Sequence, residues 1–377
     1  MVYRSISTVK ADAARRSYDA FGEDITWAVV DSGIDGRHLH FRTHDNLGGD
    51  VAELHRDFTG TDEQTPGHAL KDTFGHGSHV AGIVAGGLPA VLPKGRKLNV
   101  ATQIRDALSR GRNVLEVSSD AVEPGEISGV APRCKLVSLR VIDGDGRSQV
   151  GAILRALQYV NELNGGGKRL RVHGVNLSLA YQFDQEWYAC GQSPLCVEVD
   201  RLVRSGVVVV AAAGNSGFGP VTAMAGSMNT GLSITINDPG NAERAITVGS
   251  THRDMPHTYG VSYFSSKGPT ADGRPKPDLV APGERIASCA AGRPLAQVYG
   301  TARPPAGHVT YIPNSGTAMA CAHVSGAVAA FLSVHREFLG RPDDIKRIFL
   351  ENATSLGRTA EFQGHGLVDL MRALQAV

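Results

Sequence analysis

Six short apolar runs constrain the fold more than any other feature of this chain. Ile25 to Val30, Lys135 to Ile142, Gly174 to Leu179, Val207 to Ala213, Ala245 to Ser250 and Asp278 to Ala281 carry few or no polar interruptions. A strand with one wet face alternates apolar and polar residues, so runs like these belong to strands covered on both faces. Segments with other periods separate them. Val150 to Asn161 places Ile153, Leu154, Leu157 and Val160 at helical spacing, Val199, Leu202 and Val203 do the same, and His79 to Gly87 and Ala318 to Leu332 read as small-residue helices. The alternation predicts an α/β protein with three α/β/α layers and a central, mostly parallel sheet.

A chain of 377 residues can bury about three quarters of its unfolded surface and needs no metal or disulfide to fold. No linker divides it, so residues 1–377 are expected to form a single domain. Residues 89–126 and 181–194 read as insertions; the first is charged, with Ala101 to Gly111 expected to be helical. Glycine is abundant, 45 residues, and gathers between the apolar runs where tight turns are needed. The 38 basic residues nearly match the 37 acidic ones, which argues against nucleic acid as a partner. No run of 18 apolar residues points to a membrane. Five cysteines do not make a disulfide framework; Cys190 and Cys196 are expected to be free thiols if the protein is cytoplasmic, a small local bridge or a metal pair being the alternatives.

Three segments carry a more specific signal: Ala28-Val-Val-Asp31-Ser-Gly-Ile-Asp35, Asp72-Thr-Phe-Gly-His76-Gly-Ser-His79-Val-Ala-Gly82, and Asn314-Ser-Gly-Thr-Ala318-Met-Ala-Cys-Ala-His323-Val-Ser-Gly326. In order and wording they resemble the subtilisin-like serine proteases. The resemblance extends through Ser128-Gly-Val-Ala-Pro132, Val175-Asn-Leu-Ser178-Leu179, Ala213-Gly-Asn215-Ser-Gly217 and Phe264 to Gly283, covering roughly residues 20 to 370. It implies that Asp31 and His76 match the triad aspartate and histidine, and that Asn215 matches the oxyanion-hole side chain. Ala318 occupies the place of the nucleophilic serine.

The chemistry explains why those types are needed. A serine hydroxyl attacks only when an imidazole takes its proton, and a carboxylate fixes the imidazole's tautomer. A donor such as Asn215 stabilises the negative oxygen of the tetrahedral intermediate. Alanine has no attacking atom, so this chain is expected to form no acyl-enzyme. The rest of the set is complete, which favours a serine-to-alanine change in a working enzyme over a natural pseudoprotease that holds peptides; the genomic codon at 318 separates the two. An esterase with the same machinery is a further alternative.

The resemblance also implies an extended peptide or protein substrate, paired with the edge Asn176, Leu177, Ser178, Leu179, Ala180 on one side and with Ala211, Ala212, Ala213, Gly214 on the other, close to Thr317. Tyr181, Phe183, Trp187 and Tyr188 either wall that substrate or anchor the insertion. Asp184 and Glu186 offer only a weak preference for a basic residue. Cys321, His79 and His323 are read as packing and hydrogen-bonding residues, Asp35 as a turn acid, and Asp72 as a cap of the His76 helix or a cleft residue. No cofactor is required for the chemistry. Relatives often bind calcium, for which Asp45, Asp50 and the stretch Asn237 to Asn241 are the candidates, with none assigned. Low cysteine content and the lack of a secretory signal favour a cytoplasmic location, a secreted one being open if a leader and propeptide were removed.

Overall fold

The computed structural model describes residues 2–60, 66–105, 113–118, 122–182, 184, 186–223 and 226–377. Its strands are β1 (Thr26–Asp31), β2 (Arg56–Asp57), β3 (Lys97–Arg105), β4 (Asn113–Ser118), β5 (Lys135–Arg140), β6 (Gly174–Leu177), β7 (Val208–Ala212), β8 (Phe218–Ala223), β9 (Gly226–Gly231), β10 (Ile246–Thr251), β11 (Leu279–Pro282), β12 (Ile286–Cys289) and β13 (His308–Asn314). Seven form one sheet in the order β11-β10-β7-β6-β1-β5-β2, with every pairing parallel. The apolar runs are the central strands of this sheet, as their composition requires.

Alternate residues of each strand serve opposite faces. Trp27 and Val29 of β1 join a core with Val208, Val210 and Val248, whereas Ala28 and Val30 join a second core with Val137, Leu139 and Val209. The first core is closed by the helices His76–Val84 and Thr317–Val334, and the second by Val150–Leu163 and Pro194–Arg204. These make the three layers. Helix Pro194–Arg204 begins where its sequence directs: the Ser193 hydroxyl accepts from the Cys196 N–H at 3.3 Å, and proline fills the first turn. Gly174 is required by packing, because a Cβ there would sit 2.2 Å from the Trp27 ring.

Helix Thr317–Val334 is long and apolar enough to meet a membrane-span criterion, yet Thr317 to Leu332 are all buried between sheet and neighbouring helices. An all-round apolar helix is the expected filler of a layer covered on both sides.

Two parts of the chain depart from the expectations. Ala101 to Arg105 is strand, not helix: β3 pairs in parallel with β13 and antiparallel with β4, and with β12 these make a second, four-stranded sheet. The β13 register ends at Val100, and it is antiparallel pairing of Ala101 to Arg105 with Asn113 to Val117 of β4 that overrides the local helical preference; residues 106–112 of that expected helix lie outside the described residues. The second departure is the hairpin β8–β9, between Gly217 and Leu232, a stretch with no strand-like pattern of residues. Its Phe218, Val221 and Met228 are exposed, and Phe218 meets Tyr263 edge to face at 5.5 Å.

Candidate active site

Chain order along the sheet reverses at β1: β5 and β2 lie on one side, β6 and β7 on the other. In open parallel sheets ligands sit outside the carboxyl ends of the strands at such a reversal. Asp31 is the last residue of β1, Ser178 follows β6, and Asn215 follows β7.

Asp31 is fully buried, and both its oxygens lie within hydrogen-bond distance of His76 Nδ1, at 2.8 and 2.9 Å. With Nδ1–H donating to the carboxylate, Nε2 is left as an acceptor. The loop after β1 is stitched to the helix that starts at His76. Ser32 Oγ accepts from the Gly77 N–H at 2.8 Å and donates to Asp72 Oδ1 at 2.9 Å. Asp72 then takes the N–H groups of Gly75 and Ser78, at 2.7 and 2.8 Å. Asp72 is therefore a cap of the His76 turn. Gly77 is required by close approach, since a Cβ there would lie 2.1 Å from the Gly33 carbonyl oxygen.

Burial is the largest influence on the His76 imidazole and pushes its pKa down, but the charge and hydrogen bond of Asp31, helped by Asp72, outweigh it and leave the pKa raised. Burial lifts the Asp72 carboxyl to about 6 against the pull of its donors. His79 is held near 3 by burial, reinforced by the charge of His76, and shares its Nε2 between the carbonyls of Ile286 and Ile312. His323, held near 4 by burial, contacts the Met319 carbonyl and Ser5.

Ala318 is the second residue of helix Thr317–Val334 and is 8% exposed. Its carbonyl accepts from Ser178 Oγ at 2.9 Å, and Ser178 Oγ accepts from Asn176 Nδ2 at 2.8 Å. Asn176 Oδ1 in turn accepts from Ser325 Oγ at 2.9 Å and from the Cys321 thiol at 3.2 Å. Burial pushes that thiol well above its usual range, which fits a packing residue. On the other flank Asn215 Oδ1 accepts from both the backbone and the hydroxyl of Thr317, at 3.0 and 3.1 Å. Its amide oxygen is thereby occupied, and its Nδ2 is the end available as a donor.

These groups surround a cleft of about 260 Å³ lined by His76, Ser178, Ala180, Ala212, Asn215, Ser216, Asn237, Thr317 and Ala318. Of the residues expected to bind substrate, Ser178, Ala180, Ala212 and Thr317 line it. Asn176, Leu177, Ala211, Ala213 and Gly214 are buried and do not, and Leu179 packs on the second core. Ser216 and Asn237 were not foreseen. Asn237 reaches the cleft because its N–H bonds the Ala213 carbonyl at 3.0 Å, and its Nδ2 donates to Ser216 Oγ at 3.2 Å.

The neighbouring candidates fall elsewhere. Asp35 accepts from Arg37, and Asp45 pairs with Lys135. Asp238 and Asn241 are fully buried and bond each other at 2.8 Å. Among the described residues no three His, Cys, Asp or Glu side chains converge as metal ligands. Tyr181 packs on the second core, Trp187 and Tyr188 are exposed away from the cleft lining, and Phe183 lies outside the described residues. Cys190 and Cys196 are separate thiols, with Cys196 buried and Cys190 beside Arg274.

Fold and site together describe a hydrolase-type cleft at the carboxyl ends of a parallel α/β sheet. Comparison with known proteins makes the assignment specific: a family model, the subtilase family (Peptidase S8), matches residues 22–366, and the chain belongs to that family. Pyrolysin of Pyrococcus furiosus is 31% identical over 338 residues, covering 80% of this chain and 21% of pyrolysin. Serine protease AprX of Bacillus subtilis is 27% identical over 349 residues, covering 91% of this chain and 64% of AprX. A subtilisin of Bacillus pumilus is 27% identical over 370 residues and 98% of both chains. The chain thus spans a fifth of pyrolysin and just under two thirds of AprX.

Proposed function

We propose that this chain is the peptidase unit of a subtilisin-like serine endopeptidase, silenced by Ala318 in place of serine. The observation that carries the reading is one juxtaposition: His76, backed by the buried Asp31, borders the same 260 Å³ cleft as Asn215, held by Thr317, and position 318. In the active form His76 takes the proton of a serine at 318 while Asp31 holds its Nδ1–H and stabilises the imidazolium. The serine oxygen bonds the substrate carbonyl carbon, and Asn215 Nδ2 donates to the oxygen that becomes negative. His76 then returns its proton to the leaving amine, and water repeats the sequence on the acyl-enzyme. An extended polypeptide lies along Ser178, Ala180 and Ala212, and Ser216 and Asn237 give the cleft a neutral polar wall.

Ala318 itself supports the second reading, a natural pseudoprotease that binds peptides. Hydrolysis of peptides by this chain and by its Ala318→Ser form, with labelling by a serine-directed phosphonate, tests both. The expected result is silence from this chain and cleavage with covalent labelling from the serine form. Two folded but silent proteins would reject the endopeptidase reading and favour a binding module.

A further inference from the structure

A second, larger cavity of about 920 Å³ adjoins the turn that presents His76: Asp72 and Thr73 line this cavity, whereas His76 lines the cleft. Other stretches of its wall also lead to the site. Asp35 lies four residues past Asp31, and Thr310 belongs to β13, the strand that precedes Ala318.

The wall combines two chemistries. Leu39, Leu70, Leu295 and Val309 give it apolar surface. Arg37, Lys71, Arg96 and Arg303 give it four cations, against the two acids Asp35 and Asp72. Both acids are engaged: Asp35 with Arg37 at 3.0 Å, and Asp72 within its turn by Ser32, Gly75 and Ser78. Among the described residues no carboxylate pairs with Lys71, Arg96 or Arg303. The whole chain is balanced at 38 basic and 37 acidic residues, so the surplus is local and does not follow from composition. Cations spread around an apolar wall fit a ligand with spaced carboxylates and a hydrophobic side chain. A compact oxyanion needs donors converged on one point and gains nothing from leucines.

We propose that this cavity docks an acidic segment, carrying at least one leucine or phenylalanine, of the polypeptide that the cleft engages. The proposal rests on the endopeptidase reading only for the identity of that polypeptide. Apolar burial gives the segment affinity, while the cations set its charge preference and make docking salt-dependent.

The full chain, with Ala318 and hence no turnover, is titrated by fluorescence anisotropy with a labelled peptide Glu-Asp-Leu-Phe-Asp-Glu and with its Gln/Asn isostere. The acidic peptide is expected to bind about tenfold or more tightly than the isostere and to weaken as salt rises from 50 to 300 mM. The exposed-rim double variant Arg96→Glu/Arg303→Glu is expected to weaken it by about tenfold or more, and Arg96→Gln/Arg303→Gln by less. Circular dichroism and thermal unfolding check that each variant is folded. Equal binding of peptide and isostere, or unchanged affinity in folded variants, overturns the proposal. Displacement by tripolyphosphate at concentrations well below the peptide's own Kd overturns the peptide assignment in favour of an oxyanion site. Peptide docking that persists although the Ala318→Ser form cleaves nothing leaves the cavity standing and removes the endopeptidase reading. Cleavage by the serine form without peptide docking removes the cavity proposal alone.

Discussion

The cleft and the large cavity share one turn, yet they are built in opposite ways. Around the cleft the polar groups are tied: Asp31 to His76, Asp72 to three donors, Asn215 Oδ1 to Thr317, Ser178 to Ala318. In the cavity Lys71, Arg96 and Arg303 find no acidic partner among the described residues. Under the endopeptidase reading the first arrangement fixes atoms where charge develops, and its strength is preorganisation. The second leaves charge unsatisfied and exposed, which costs little in water and favours a ligand that brings the opposite sign. Parallel strands, whose ends are set by register, suit the first task. Loops and a second sheet at the rim suit the other.

The sharpest way to break this contrast is to untie the cleft. In the Ala318→Ser form, His76→Ala is expected to lower kcat/KM for peptides by roughly 10⁴-fold or more, whereas Arg96→Gln at the cavity should leave cleavage of a neutral short peptide unchanged. Asn215→Leu in the same background should lower kcat by about 10²- to 10³-fold with little change in KM. Comparable losses from both regions would mean that the cavity is part of the catalytic machinery.

Acid tests the buried polar interior. Burial lowers His40 and His79 to about 3 and His323 to about 4, with neighbouring histidine charges adding to the effect at His40 and His79. Each stays neutral in the fold and protonates near 6.5 when unfolded, so its stabilising contribution is full above about pH 6.5 and is lost as pH falls towards 3 to 4. Asp72, raised to about 6 by burial, and His76, also raised, act with the opposite sign and trim the loss. Denaturant titrations at pH 7 and 5.5 should differ by roughly 3 kcal/mol, less stable at the lower pH. No difference would mean that these imidazoles are not buried neutral.

The smallest effects compare two glycines. Gly174→Ala, at the start of β6 in the sheet that carries the cleft, drives a methyl into the Trp27 ring and should cost about 1–3 kcal/mol in thermal or denaturant unfolding. Gly67→Ala, at the cavity, meets nothing within 4 Å and should change stability by about 0.5 kcal/mol or less.

The same division governs what the amino-acid sequence made legible. Asp31, His76 and Asn215 stand at strand ends or helix starts inside local patterns, and the central strands announced themselves as continuous apolar runs. Ser216 lines the cleft as the neighbour of Asn215, whereas Asn237 lines it only because the chain returns after the β8–β9 hairpin to pair with Ala213. Ala101 to Arg105 are strand because they pair antiparallel with β4, whereas Lys97 to Val100 of the same strand meet β13. Leu177 and Ala211 were expected at the substrate edge but are buried on a sheet face, since adjacent residues of a strand point oppositely. Motifs and buried strands are legible in the sequence; pairings are not, whether between distant segments, as at Asn237, or within a hairpin, as in β3–β4 and β8–β9.

Helix Thr317–Val334 is apolar on every side, and hydrophobic contact rewards any rotation or one-turn slide of such a rod almost equally. The bonds from Asn176 to Cys321, Ser325 and Ser178, and from Ser178 to the Ala318 carbonyl, act as a key in a shaft. Greasy packing supplies the grip, and the Asn176 amide, together with Asn215 on Thr317, supplies the phase. The place of residue 318 at the cleft therefore depends in part on a buried asparagine that does not line it.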